Sequence, residues 1–275
     1  MPEMQEVFRM ATQKVRPDPG FVDRQHENQR RQSRRRKAGA LALVAVLVVA
    51  GVVIGISTLR SGDEGKVIPG SAPTPTATPI PSLHSGALDP GTYVVSTLDP
   101  DFDASYRITM DVPDGYEGLA EGVGVAKLGR IGQMAVTAWV IGDVYADPCR
   151  WMSTLLDPPP VSSVDALVTA LAGQKGLRVS TPTDITVDGF AGTSMERTVP
   201  AGTTLAECDG VEFRPWLDTN GGERHLEPGQ HDMLWIIDVD GVPLLIDASL
   251  GEAGTSAQDR AEHIQIAESV QIDPQ

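Results

Sequence analysis

The feature that most restricts this chain is an uninterrupted apolar run at residues 38–59, 22 residues without a charge and built mainly of Leu, Val, Ile, Ala and Gly. At about 1.5 Å of rise per residue, a helix of that length crosses a hydrocarbon core of roughly 30 Å. A helix also satisfies its own backbone hydrogen bonds in lipid, where no water is at hand to do so. The run therefore predicts a transmembrane helix in the lipid bilayer, in preference to a buried helix of a soluble core.

The flanks give the direction of crossing. Residues 24–37 hold seven cations (Arg24, Arg30, Arg31, Arg34, Arg35, Arg36 and Lys37) against one anion, Glu27. Beyond the run, Arg60 and Lys66 are offset by Asp63 and Glu64. The positive-inside bias puts the N-terminus in the cytosol and the C-terminal mass outside the plasma membrane. A cleaved signal peptide has a shorter apolar region, about 7–15 residues, behind a short basic stretch. Here 37 residues precede the run and no small-x-small cleavage site follows it. No cysteine lies near it either, which excludes a lipoprotein anchor. The expectation is an uncleaved, single-pass anchor.

Four segments follow from this. Residues 1–37 form a basic cytosolic head. Met4, Val7, Phe8, Ala11 and Val15 share one face of a short helix that Pro17 ends, so residues 1–16 offer a docking helix for a cytosolic partner or a lipid-grazing tail. The head has no zinc-binding His/Cys spacing, which argues against a zinc-type anti-sigma module. Residues 38–59 span the membrane. Residues 60–90 read as an extracellular stalk, because Pro69, Pro73, Pro75, Pro79 and Pro81 alternate with Thr74, Thr76 and Thr78 in a composition that extends and does not pack. Residues 91–275 are long enough for one domain with its own core.

That domain is acidic. Residues 61–275 carry 11 Lys/Arg against 32 Asp/Glu, a net of −21 within the chain's total of −15. Such a surface repels phosphates, so nucleic acid is excluded as a partner.

Strand patterns occur at residues 92–98, 105–112, 134–141, 177–179, 185–187, 193–199 and 211–216, and Pro113-Asp114-Gly115 reads as a turn. Asp240-Gly241 between apolar runs at 233–239 and 242–248 marks a type I′ hairpin, and Asp188-Gly189 repeats the device. Ser162-x-x-Asp165 reads as a capping box for a helix carrying Val164, Leu167, Val168 and Leu171, closed by Gly173. Thr255 or Ser256 caps a second helix with Ala257, Ala261, Ile264 and Ala267, followed by a short strand at 270–272. Strands, helix, antiparallel strands, helix is an α+β order: a twisted antiparallel sheet with two packed helices.

The strand ending "ITMDVPDGYEG" and the hairpin "IDVDGVPLLIDASL", with a later helix ending "AESVQI", resemble the PsbP-like fold, including the LpqN-type lipoproteins of actinobacteria. Head, anchor and stalk likewise resemble actinobacterial single-pass proteins with an outer domain. The resemblance implies a non-catalytic binding module and brings no catalytic signature. The context of Cys149 and Cys208 and the long loop at 200–230 depart from that pattern.

Candidate chemistry is sparse. Cys149 and Cys208 are the only cysteines, and an even count outside the membrane reads as one disulfide. A nucleophilic thiol is disfavoured at Cys208, which sits between Glu207 and Asp209. His225, Glu227 and His231 match no standard zinc spacing, and Pro228-Gly229 breaks the helix that would align them. Asp99, Asp101 and Asp103 imitate the start of a calcium loop, but Ala104 and Met110 stand where its Gly and Glu belong. Gly122-Val123-Gly124 opens no helix that could receive a phosphate. Trp139, Trp151, Trp216 and Trp235 are core or groove lining. The expectation is therefore no catalytic, metal or cofactor site, and no enzyme. The leading reading is a binding or sensing module for an unknown envelope ligand or protein. An envelope structural protein is the alternative, and a hydrolase with an unrecognised site comes third.

Overall fold

The computed structural model describes residues 79–127, 134–251 and 256–275. All belong to the second of the two units into which the chain divides, residues 74–275. The head expected to be cytosolic, the short helix expected within it, the apolar run at 38–59 and the expected stalk up to residue 78 lie outside the described residues. Among the described residues no helix is long and apolar enough to cross a membrane.

In chain order the elements are β1 (Gly86–Ala87), β2 (Gly91–Val95), α1 (Pro100–Ser105), β3 (Tyr106–Val112), β4 (Tyr116–Gly118), β5 (Gly124–Lys127), β6 (Met134–Val144), α2 (Val164–Ala172), β7 (Arg178–Val179), β8 (Thr183–Val187), β9 (Phe190–Thr198), β10 (Trp216–Asp218), β11 (His231–Val239), β12 (Val242–Leu250), α3 (Ala257–Glu268) and β13 (Gln271–Pro274). The large sheet runs β1-β4-β5-β6-β12-β11-β9-β7, with β8 also pairing β9 and β10 also pairing β6; a smaller sheet runs β13-β3-β2. All of these strand pairings are antiparallel. The α+β architecture read from the sequence is present, with a second sheet and a short extra helix beyond that reading.

Successive side chains of the central strands go to opposite faces. On one face Met233, Ile237, Leu244, Ile246 and Val136 pack with Ile108 and Met110 of the small sheet and with Ile266 and Ala267 of α3. On the other, Leu234, Ile236, Leu245 and Met195 pack with Val164, Leu167, Val168 and Leu171 of α2 and with Trp216.

Local signals explain the elements. Asp240 and Gly241 have φ 50° and 89°, and Asp188 and Gly189 have φ 48° and 85°. These are the paired left-handed residues that a two-residue type I′ turn requires. They set Val239 opposite Val242 and Val187 opposite Phe190. A capping box starts α3: the Asp259 N–H donates to the Ser256 hydroxyl at 3.1 Å, and the Ser256 N–H donates to the Asp259 carboxylate at 3.0 Å. The cap of α2 is one residue away from the sequence signal. Ser163, not Ser162, accepts from the Ala166 N–H at 3.2 Å, and Asp165 lies in the first turn.

Two expectations change. The stalk does not extend to residue 90, because Leu83 and Leu88 are buried, β1 pairs with β4, and the Leu83 N–H donates to the Val94 carbonyl at 2.8 Å. The prolines upstream set the local composition, but two leucines are enough to seat this segment. The strand expected at 211–216 is also absent as such. Gly210 and Val211 turn with φ 63° and 64°, a conformation that cannot extend a strand, and β10 begins only at Trp216.

Candidate ligand groove

A helix is about 10 Å across and strands lie about 4.8 Å apart, so one helix covers about two strands of a sheet. On the face that carries α3, this leaves the outer strands β8 and β9 and the near edge of β11 without a helix above them. Their register places Thr183, Ser194 and Trp235 in one cross-strand line, and Glu196 next to Met233 in another. Arg260, Ile264 and Glu268, spaced four apart, present one stripe of α3 toward these strands. The result is a groove of about 560 Å³. Its apolar surface comes from Ile185, Met233, Trp235 and Ile264, and its polar rim from Ser180, Thr181, Thr183, Ser194, Glu196 and Glu268. Trp235 is half-buried: it packs against the core and also lines the groove.

One end of the groove carries a charged cluster. Arg260 donates to the Glu196 carboxylate and lies 2.9 Å from His231 Nε2. His231 Nε2 is also 3.2 Å from the other Glu196 oxygen, and its Nδ1 is 3.0 Å from the Thr198 hydroxyl. On the far side of α3, Lys127 pairs with Asp259 at 3.0 Å and Glu262 at 2.6 Å. The capping bonds from Ser256, together with Lys127, hold the Asp259 carboxyl well below the usual carboxylate range. His263 is fully buried between α3 and the sheet, its Nδ1 3.0 Å from the Asp259 carbonyl, and burial lowers its pKa.

The opposite face holds charge that is closed off. Arg197 Nε and Nη2 donate to one Asp232 oxygen at 2.9 and 2.7 Å, and Gln230 donates to the other at 2.6 Å. Arg224 donates to Asp247 at 2.8 Å and lies 3.6 Å from Asp232. The Arg197 guanidinium stacks 4.3 Å from the Trp216 ring centroid. Burial, reinforced by the neighbouring Asp232, pushes Asp247 up to about 6 against the pull of Arg224 and Arg197. With side chains 0–2% exposed, these two carboxylates cannot reach a substrate outside.

The residues singled out in the sequence fall as follows. Cys149 and Cys208 form a disulfide across a separation of 59 residues. The bridge joins two loops that are further tied by Trp151 Nε1 donating to the Asp209 carbonyl at 2.7 Å and by Arg214 stacking 3.8 Å above the Trp151 ring. His225, Glu227 and His231 are not brought together: His225 lies near Glu223 and Glu212, His231 near Glu196. Asp99 caps α1, and Asp103 accepts from Ser96 and Thr97, so both are committed to a turn. Gly124 lies in β5, where a Cβ would come 2.1 Å from the Val136 carbonyl oxygen. Trp216 is buried, and Trp139 packs edge-on to it at 6.1 Å; of the four tryptophans, Trp235 lines the groove. Sequence reasoning missed Thr183, Ser194 and Glu268. The Asp188-Gly189 turn does carry the signal for one pairing, since it sets Thr183 opposite Ser194.

No family model matches the chain, and no curated protein matches it. Among solved structures it is similar to LpqN of Mycobacterium tuberculosis, described as involved in cell envelope biogenesis. The identity is 16% and the TM-score 0.37, over 67% of this chain and 91% of that one. It is also similar to the cyanobacterial PsbP (CyanoP) of Synechocystis sp. PCC 6803, with 13% identity and a TM-score of 0.34, over 68% of this chain and 96% of that one. Both belong to the group that the strand and hairpin patterns resemble. At these scores neither likeness bears on what the chain does.

Proposed function

We propose that residues 79–275 form a non-catalytic binding domain, held outside the plasma membrane by the single span at 38–59, and that the groove beside α3 is its ligand site. The observation that carries this reading is the groove: its volume of about 560 Å³ lies within the about 300–1,000 Å³ common for small-ligand sites. It combines an apolar floor with a few polar groups, the pattern by which a site gains both affinity and orientation. The buried carboxylates on the other face are paired and closed, which supports a structural role for them.

The test is a thermal-shift screen of the full chain in detergent against envelope lipids, glycans and peptides. At least one class should raise the melting temperature, and Trp235→Ala should abolish that rise. A shift that survives in the variant, or no shift from any class, removes the groove from consideration. Location is tested separately: protease added to intact cells should remove residues 79–275 and spare the head.

A protein-contact reading has one observation in its favour. Beside the disulfide, Met152 and Val211 are 66% and 60% exposed on rigidly tied loops. If that patch is the working surface, Met152→Asp abolishes partner capture and Trp235→Ala leaves it intact.

A further inference from the structure

The binding role proposed above is the premise here; the uncommitted polar groups of the groove narrow its ligand. Glu196 is occupied by Arg260 and His231. Four other groups make no hydrogen bond or ion pair to any described residue: the Trp235 indole N–H, the Thr181 and Thr183 hydroxyls, and the Glu268 carboxylate. The set contains one acceptor-only group, two hydroxyls that both donate and accept, one donor-only group and no cation.

Each ligand class can be weighed against that set. An anion finds no uncommitted counter-charge, since Arg260 is held by Glu196, and it meets Glu196 and Glu268 within a part of the chain whose net charge is −21 over residues 61–275. A bare acyl chain covers Trp235 and Ile264, but it strips water from the carboxylate and hydroxyls and returns no hydrogen bond. A lysine or arginine head satisfies Glu268 and the ring face, yet it cannot accept from the indole N–H. A pyranose satisfies all of them. Its C–H face lies on an indole, its hydroxyls donate to a carboxylate, and the same hydroxyls accept from an N–H and exchange bonds with threonine.

We propose that the groove binds a neutral oligosaccharide. Trp235 is the stacking platform on the floor, Glu268 accepts sugar hydroxyls on the α3 wall, and Thr183 meets the ring edge on the β8 side.

The test uses the full chain in nanodiscs of phosphatidylcholine, titrated with free neutral tetrasaccharides of glucose, mannose, galactose or N-acetylglucosamine. A lysine-rich decapeptide and a C16 fatty acid serve as the other probes. At least one tetrasaccharide should bind. Trp235→Ala should weaken it by about tenfold or more, and Glu268→Gln by about three- to tenfold, the loss expected for one charged hydrogen-bond partner. Trp235 touches the core, so near-UV circular dichroism must show that variant folded; Glu268 is exposed at a helix end and gives an independent reading. If the decapeptide or fatty acid binds in its place, with loss in the same variants, the saccharide assignment falls and the groove stands. If the wild type binds none of the probes, both fall.

Discussion

The two faces of the large sheet handle polar groups in opposite ways. On the α2 face, Arg197, Asp232 and Asp247 are buried and pair among themselves and with Arg224, and Arg197 stacks on Trp216. On the α3 face, hydroxyls, a carboxylate and an indole N–H are left at the surface of an apolar groove. The same strands supply both, since Met233 and Trp235 alternate with Asp232 and Leu234 along β11. Charges paired with one another inside the fold act on the fold, whereas polar groups left open beside an apolar floor can act on something else.

The sharpest way to break this contrast is Asp232→Ala. It leaves Arg197 buried without its carboxylate, and removing one partner of a buried pair costs about 3–5 kcal/mol. The denaturant midpoint should fall accordingly. Replacing Arg197 and Asp232 together by Met and Leu should cost far less, because no charge is then stranded.

The next test uses one residue type on both faces. Trp216→Ala should cost about 3–5 kcal/mol, as for a fully buried aromatic. Trp235→Ala should cost clearly less, since part of that ring is already in contact with solvent, and yet it should remove binding. Equal stability losses would mean that Trp235 is ordinary core and the groove is shallower than described. Removing the disulfide with Cys149→Ser and Cys208→Ser should cost about 2–4 kcal/mol by releasing the closed loop in the unfolded chain. It should leave groove binding unchanged, because neither loop lines the groove.

The smallest expected effect is on pH dependence, and the two faces should respond with opposite signs. His263 has a lowered pKa in the folded state, so the unfolded chain binds the proton more readily. Its contribution is complete above the unfolded value of about 6.5 and is lost as pH falls through the folded value. Asp247 is raised to about 6. It therefore contributes most below its unfolded value of about 3.9, and that contribution drains away as pH rises through 6. Stability curves from pH 7 to 4 should steepen in Asp247→Asn, which loses the compensating gain, and flatten in His263→Phe. Identical curves for the two variants would show that neither group sets the acid limb.

What was legible in the sequence follows the range of the interactions. The two Asp-Gly turns specify their own hairpins, so β8–β9 and β11–β12 and their registers are readable within about 16–20 residues of chain. The stripes of α2 and α3 are readable because helical spacing is local. The pairing of β9 with β11 is not, since nothing between Thr198 and His231 sets Trp235 opposite Ser194. The groove exists only through that pairing and through the position of α3, and so Glu268 carries no sequence mark and Thr183 only its place opposite Ser194. The loop at 209–211 escaped for the reverse reason. Val211 has strong strand propensity, but the disulfide and the bonds from Trp151 and Met152 to Asp209 outweigh it.

The seating of residues 81–88 has a mechanical consequence. Chain arriving from residue 78 enters the domain at Pro81–Leu83, where the Val94 N–H donates to Pro81 and the Leu83 N–H to Val94, both at 2.8 Å. Ser82 and Val94 form a parallel bridge, unlike the antiparallel pairings elsewhere. A pull on residues 79–80 therefore loads these two bonds and the buried Leu83 side chain before it reaches β1, the edge strand of the sheet that carries the groove. Peeling residues 81–88 would remove only β1, an edge strand with four others between it and β11, so Trp235 would keep its places opposite Ser194 and Ile246.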